Sequence, residues 1–260
     1  KIVMKKILAV ICFSFLSLNL ANAEILSFGV SGNVGMLKAD GKETITGTSE
    51  RATTGSGAGV VSMYKEAGTS TTQISKASEE VYIGYVSLFG EAHILDSGLR
   101  LGLSYVPYAL ESETTDNARN NMCTNNDGKV HVACTVTNQT VQIDVEDLVT
   151  LYVAYHHEVD LGFVDSVFIK AGIMEADIIT KEKLASGSEY GNTILEGQLL
   201  GLGAEKNLDD GMFVRFEANM TQYDSIKLSN LNTADHENDN TIEIDDLDGA
   251  TATLSIGKSF

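Results

Sequence analysis

Positive charge is scarce in this chain. Its 18 lysines and arginines stand against 36 aspartates and glutamates, for a formal net charge of −18. Nucleic acid is held through concentrated Lys and Arg on its phosphates, so that class of partner is excluded. Long apolar runs are scarce as well. Beyond the start of the chain no segment holds 18 consecutive apolar residues, which excludes a later transmembrane helix. Cysteine is rare: Cys12 sits in an apolar run near the start, and Cys123 and Cys134 remain.

The start of the chain is expected to be removed. Lys5 and Lys6 precede the apolar run from Ile7 to Leu18, and Ala21-Asn22-Ala23 follows as a small-x-small cleavage signature. The run is too short to span a bilayer as an anchor. Residues 1–23 therefore read as a signal peptide and residues 24–260 as one domain with a net charge of about −21. In an exported chain the even pair Cys123 and Cys134 is expected to form a disulfide in the oxidising periplasm, closing a surface loop.

The strongest periodic signal is at the other end. Ala250, Ala252, Leu254, Ile256 and Phe260 alternate with Thr251, Thr253, Ser255, Gly257 and Ser259. A period of two marks a strand with one apolar and one polar face. Seven further strands follow the same logic, at about 25–37, 79–93, 99–111, 140–158, 165–179, 192–206 and 211–226, with the last at about 242–260. The second is expected to carry Val81, Ile83, Tyr85 and Phe89 as its apolar set. In the sixth, Leu199, Leu200 and Leu202 blur the period. Short Asp/Gly turns around 95–98, 160–163 and 208–211 alternate with long polar connections at about 38–78, 112–139, 180–191 and 227–241. An even strand count with alternating short and long connections predicts an all-β, closed, antiparallel eight-stranded transmembrane barrel. It would run as an up-and-down meander, with short periplasmic turns and long extracellular loops. A soluble secreted β-sandwich is the alternative fold, since alternation alone does not separate the two.

The terminal strand resembles the closing strand of bacterial outer-membrane β-barrels, whose final Phe, here Phe260, is part of the signal read by the assembly machinery. Lys258 departs from the aromatic or apolar residue that family prefers there; at the boundary its stem can extend toward water. Over residues 24–260 the chain is similar to the small eight-stranded group that includes the OmpA transmembrane domain, OmpX, OmpW and the opacity adhesins. The resemblance implies an outer-membrane location, contact with membrane lipid and lipopolysaccharide, and delivery by the barrel assembly machinery; a monomer is expected.

Eight strands leave a lumen filled by side chains rather than water. Arg100, Lys170, Glu196, Arg215 and Glu217 are expected to share it as a polar network, since an unpaired buried charge is costly. The acidic stretch with Asp235, Glu237 and Asp239 is a candidate divalent-cation loop, although Ile244 breaks the EF-hand template and a solvated acidic loop is the favoured reading. His156-His157-Glu158 is not a metal site, because adjacent strand residues point to opposite faces and further ligands are missing. His131 and His236 fall in loops without a spacing that assembles a nucleophile, base and orienter. No catalytic residue, metal or cofactor is assigned. The expected role is structural or surface-interacting, through loops that meet an extracellular ligand or a host or phage surface. A narrow passive pore is the alternative, and a lipid-modifying enzyme the third reading.

Overall fold

The computed structural model describes residues 26–48, 70–94, 97–112, 115–119, 122–123, 132–133, 137–159, 161–181, 190–229 and 238–260. The expected signal peptide lies outside them. Eight long strands dominate: β1 (Leu26–Thr48), β2 (Ser70–Ile94), β3 (Leu99–Tyr105), β4 (Ile143–Glu158), β5 (Ser166–Thr180), β6 (Thr193–Asn207), β7 (Met212–Tyr223) and β8 (Asn238–Ser259). Each pairs antiparallel with its chain neighbours, and β1 pairs with β8 to close the ring. The final residue takes part in closure: Phe260 N–H donates to the Leu26 carbonyl at 2.8 Å.

Register shows how the ring closes. Val30 lies opposite Leu88, Leu88 opposite Tyr105, Tyr105 opposite Val149, Val149 opposite Glu175, and Glu175 opposite Glu196. Continuing through β7 and β8, the path returns to β1 about ten residues beyond its start, the stagger that tilted barrel strands require. Two of the three short turns reverse through glycines in the left-handed region, Gly98 (φ 74°) and Gly162 (φ 75°). The third does so through Asp210-Gly211 (φ 59° and 74°), the residue pair such hairpins favour. At the opposite end, Asp147 (φ 52°) and Asp246 (φ 50°) accompany breaks in the β4–β5 and β1–β8 registers.

Side-chain placement is the reverse of a soluble sheet. Ile169, Leu200 and Met220 point outward at 66%, 67% and 73% exposure, while Arg215 and Glu91 point inward at 1% and 2%. Phe28, Val34, Phe216 and Leu254 extend the same outward belt. A continuous apolar exterior around a polar interior is stable in lipid and not in water, so the sandwich alternative falls.

Four local expectations change. In β2 the expected apolar set falls on the inward parity: Phe89 is buried in the lumen and Tyr85 packs against the inner core, while the alternate residues Tyr82, Val86 and Leu88 form the outward face. In β6 Leu199 turns inward and Leu200 and Leu202 outward, which resolves the blurred period. β3 ends at Tyr105 rather than near 111, because Pro107 follows and cannot donate to a ladder. Part of the long connection 38–78 is strand: β1 and β2 stay paired out to Thr48 and Ser70. Segment Ile226–Ser229 pairs with β8, so a four-stranded sheet of β2, β1, β8 and this segment rises beyond the belt.

Candidate functional site

The lumen is filled in three layers. Near the short turns lies an ionic layer built on Arg215, which β7 carries inward between Phe213 and Glu217. Its guanidinium donates to both carboxylate oxygens of Glu91 at 2.7 and 2.8 Å, and to Glu205 Oε2 from Nη2 at 2.7 Å and from Nε at 3.0 Å. Arg100 donates to both oxygens of the same Glu205 at 3.0 and 3.1 Å. Tyr152 O–H donates to Glu91 at 2.8 Å. Lys170 pairs with Glu217, whose other oxygen lies 3.7 Å from Arg215. Three cations thus face three carboxylates, with multiple hydrogen bonds per group, the condition under which buried charge is tolerated.

Aromatic rings frame this layer. The Arg215 guanidinium carbon lies 5.1 Å from the ring centroids of Phe168 and Phe213 and 5.4 Å from that of Phe89, and Lys170 Nζ lies 4.8 Å from that of Tyr152. Each ring rests over a glycine directly opposite on the next strand: Phe89 over Gly29, Tyr152 over Gly102, Phe168 over Gly203 and Phe213 over Gly257. A Cβ at any of these glycines would come within 2.5 Å of the ring. The lumen is too narrow for four rings and three cations unless the facing positions carry no side chain.

The middle layer is neutral and hydrogen-bonded. Thr253 Oγ1 donates to Asn33 Oδ1 at 2.7 Å, Asn33 Nδ2 donates to Ser87 at 3.1 Å, and the Ser31 and Ser255 hydroxyls are hydrogen-bonded to each other at 2.8 Å. The third layer, toward the long connections, is apolar: Val106, Leu148, Met174, Leu195, Leu199 and Ile226 pack together, with Tyr190 buried among them.

Below the ionic layer a cavity of about 620 Å³ opens at the short-turn end, with Arg100 and Glu205 on its wall beside His93, His156 and Ser166. His156 stacks on Phe168 with ring centroids 4.5 Å apart, and its Nε2 is buried without a partner. At the rim Asp165 takes a bond from Lys206 at 2.7 Å and another from the Asn207 N–H at 2.7 Å. The Lys206 bond first, then that backbone donor, hold the Asp165 carboxyl below the usual carboxylate range.

Of the residues expected in the lumen, Arg100, Lys170, Arg215 and Glu217 converge in the ionic layer. Glu196 does not: it is exposed on the outer face of β6, opposite Glu175, because Leu195 and Gly197 take the inward positions. The acids that join Glu217 instead are Glu91 and Glu205, which sequence reasoning missed. Glu205 sits on the inward parity of β6, legible once Leu199 is placed inside. His157 is exposed on the opposite face from His156, while Glu158, also exposed, lines the same cavity as His156. Cys134, Asp235, Glu237, His131 and His236 lie outside the described residues, as do the side chains of Cys123 and Asp239. Among the described residues no three His, Cys, Asp or Glu are placed to hold a metal ion.

No family model and no characterised protein matches the sequence. Solved structures do resemble the fold. The attachment invasion locus protein Ail of Yersinia pestis, solved with the heparin analogue sucrose octasulfate, is 10% identical over 88% of this chain and 99% of its own, with a TM-score of 0.34. The outer membrane protein OprG of Pseudomonas aeruginosa is 12% identical over 90% of this chain and 95% of its own, with a TM-score of 0.43. The outer membrane protease OmpT of Escherichia coli is 12% identical over 89% and 97%, with a TM-score of 0.37. The likeness is one of fold. The ring closure and lipid-facing exterior described above make this chain an outer-membrane β-barrel of the small eight-stranded kind.

Proposed function

We propose that this small outer-membrane β-barrel is a surface-interaction protein, with its lumen closed and its extracellular sheet as the working part. One observation carries the reading: the lumen is blocked twice in series, by a charge-balanced ionic layer and by an apolar layer, while four strands continue beyond the lipid belt. A solute would have to break the bidentate Arg215–Glu91 pair and then cross an apolar constriction. A passive pore has no use for either obstacle. Enzymatic activity finds no support in the ionic layer, whose acids are committed to Arg215, Arg100 and Lys170 rather than offered to a substrate.

On this reading the partners are membrane lipid and lipopolysaccharide around the belt and an extracellular ligand above it. Phe260, paired to Leu26 and with its ring 6.4 Å from that of Phe28, serves as the assembly signal at the seam. Planar bilayers test the closed lumen. The purified protein should give no defined single-channel steps, and well-resolved steps would return the chain to the porin-like alternative.

A further inference from the structure

The barrel wall is not uniformly paired. β2 is paired with β1 along all but its last two residues, from Ala92 opposite Leu26 to Ser70 opposite Thr48. On its other side it meets β3 only from Leu88 to Ile94. The ladder stops where Pro107, the only proline of the chain, follows β3. Beyond that point the chain pairs with β4 instead, at Leu110 and Glu111. The next free donor on β2, the Val86 N–H, is taken by the Tyr108 hydroxyl at 2.6 Å. From Tyr85 out to Ser70 no strand among the described residues pairs with that edge.

Strand geometry fixes what the edge offers. Val86 N–H points away from β1, so the N–H and C=O groups of every second residue share that direction: Gly84, Tyr82, Glu80, Ser78, Lys76 and Ile74. Natural edges of this length are blunted, because unpaired donors and acceptors in a row are a template for another strand. This edge lies outside the belt, and Ile74, Val81 and Tyr82 on it are exposed. Glu79 and Glu80 are adjacent and exposed, and they project to opposite faces of the strand. The sheet behind them adds Asp245, Asp246 and Asp248 from β8, all exposed.

We propose that the Ile74–Tyr82 edge of β2 binds an extended basic peptide segment of a partner protein by strand addition. Main-chain hydrogen bonds supply the docking, and two consecutive Lys or Arg residues of the partner, one on each face, meet Glu79 and Glu80. This rests on the surface-interaction reading above and names its surface and partner chemistry. A second copy of this chain is the disfavoured occupant, since its matching edge carries the same acidic pair and two upright barrels would bring it in with like charges facing.

The test uses the full chain in lipid nanodiscs and a labelled, blocked ten-residue peptide of Thr and Val with a central Lys-Lys pair, followed by fluorescence anisotropy. Binding should weaken at least tenfold when the pairing amides of the peptide are N-methylated, and at least tenfold when its centre is Glu-Glu. Ser78→Pro removes one edge donor and leaves the β1 ladder intact; it should weaken binding as strongly while heat-shifted gel mobility stays unchanged. The Glu79→Gln/Glu80→Gln variant should lose the preference for Lys-Lys. Equal binding of the N-methylated peptide would reduce the effect to charge attraction and overturn the proposal, as would no binding, or a β2 edge occupied by self-association. Channel steps from a protein whose edge still binds would fault the closed lumen instead, so the two failures are told apart.

Discussion

Arg215 is the residue on which the interior turns. Its guanidinium is 1% exposed, satisfies two carboxylates and is faced by three phenylalanine rings. Arg215→Ala would leave Glu91 uncompensated except for Tyr152 and a 3.5 Å approach of Arg100. Losing one partner of a buried pair costs about 3–5 kcal/mol, more than the pair itself contributes. The expected result is a large loss of stability in reversible urea unfolding from lipid vesicles. The double variant Arg215→Met/Glu91→Met should recover most of it, because removing both charges leaves neither stranded. A double variant as unstable as Arg215→Ala would mean that ring packing, not charge pairing, dominates the layer.

At the scale of the element, the strands were legible wherever one face meets lipid and the other meets small or polar side chains. β1, β7 and β8 show this most cleanly: Val34, Phe216 and Leu254 face out, and Asn33, Glu217 and Thr253 face in. β2 misled because the lumen is not uniformly polar. Phe89 belongs beside Arg215, and an aromatic at an inward position carries the same alternation signal as one facing lipid. The glycines opposite each inward ring were a readable clue, but only after the register was known. Glu196 was misplaced for a related reason, since a run of leucines hides which parity of β6 is inside. The extracellular sheet adds an element-scale prediction. Glu243 on β8 accepts from Lys227 at 2.6 Å and from Lys42 on β1 at 2.7 Å, tying three strands together outside the membrane. Those two hydrogen bonds, Lys227 first, hold its carboxyl down at about 2 against an ordinary 4.5. A carboxyl depressed in the folded state contributes fully above its unfolded pKa and loses that contribution as pH falls toward the folded value. The clamp should therefore hold near neutrality and above pH 4.5, and release between about pH 4.5 and 2. Amide protection along Ile226–Ser229, with the intrinsic pH dependence of exchange divided out, should fall across that window, and Glu243→Gln should remove the fall. An exchange profile flat through the window would show that the clamp does not hold the sheet.

Over the whole molecule, charge and closure are arranged separately. The ionic layer is balanced at three against three, so the chain's strong negative charge lies elsewhere, part of it on the sheet outside the belt at Glu79, Glu80, Asp245, Asp246 and Asp248. The lumen can then be dry and closed while the surface stays highly charged. Closure itself is redundant, and that gives a prediction with a definite order. Barriers in series add, so removing one leaves the other in control. Glu91→Ser with Arg215→Ser takes out one neutral pair and leaves Arg100–Glu205 and Lys170–Glu217 in balance. The apolar layer of Leu148, Met174, Leu195 and Leu199 would still exclude water, and an apolar constriction blocks ions by dewetting. This variant should stay silent in planar bilayers. Leu195→Ser with Leu199→Ser alone should stay silent too, because the ionic layer remains. Only the four substitutions together should produce defined steps, and steps from the first pair alone would show that the apolar layer is no barrier.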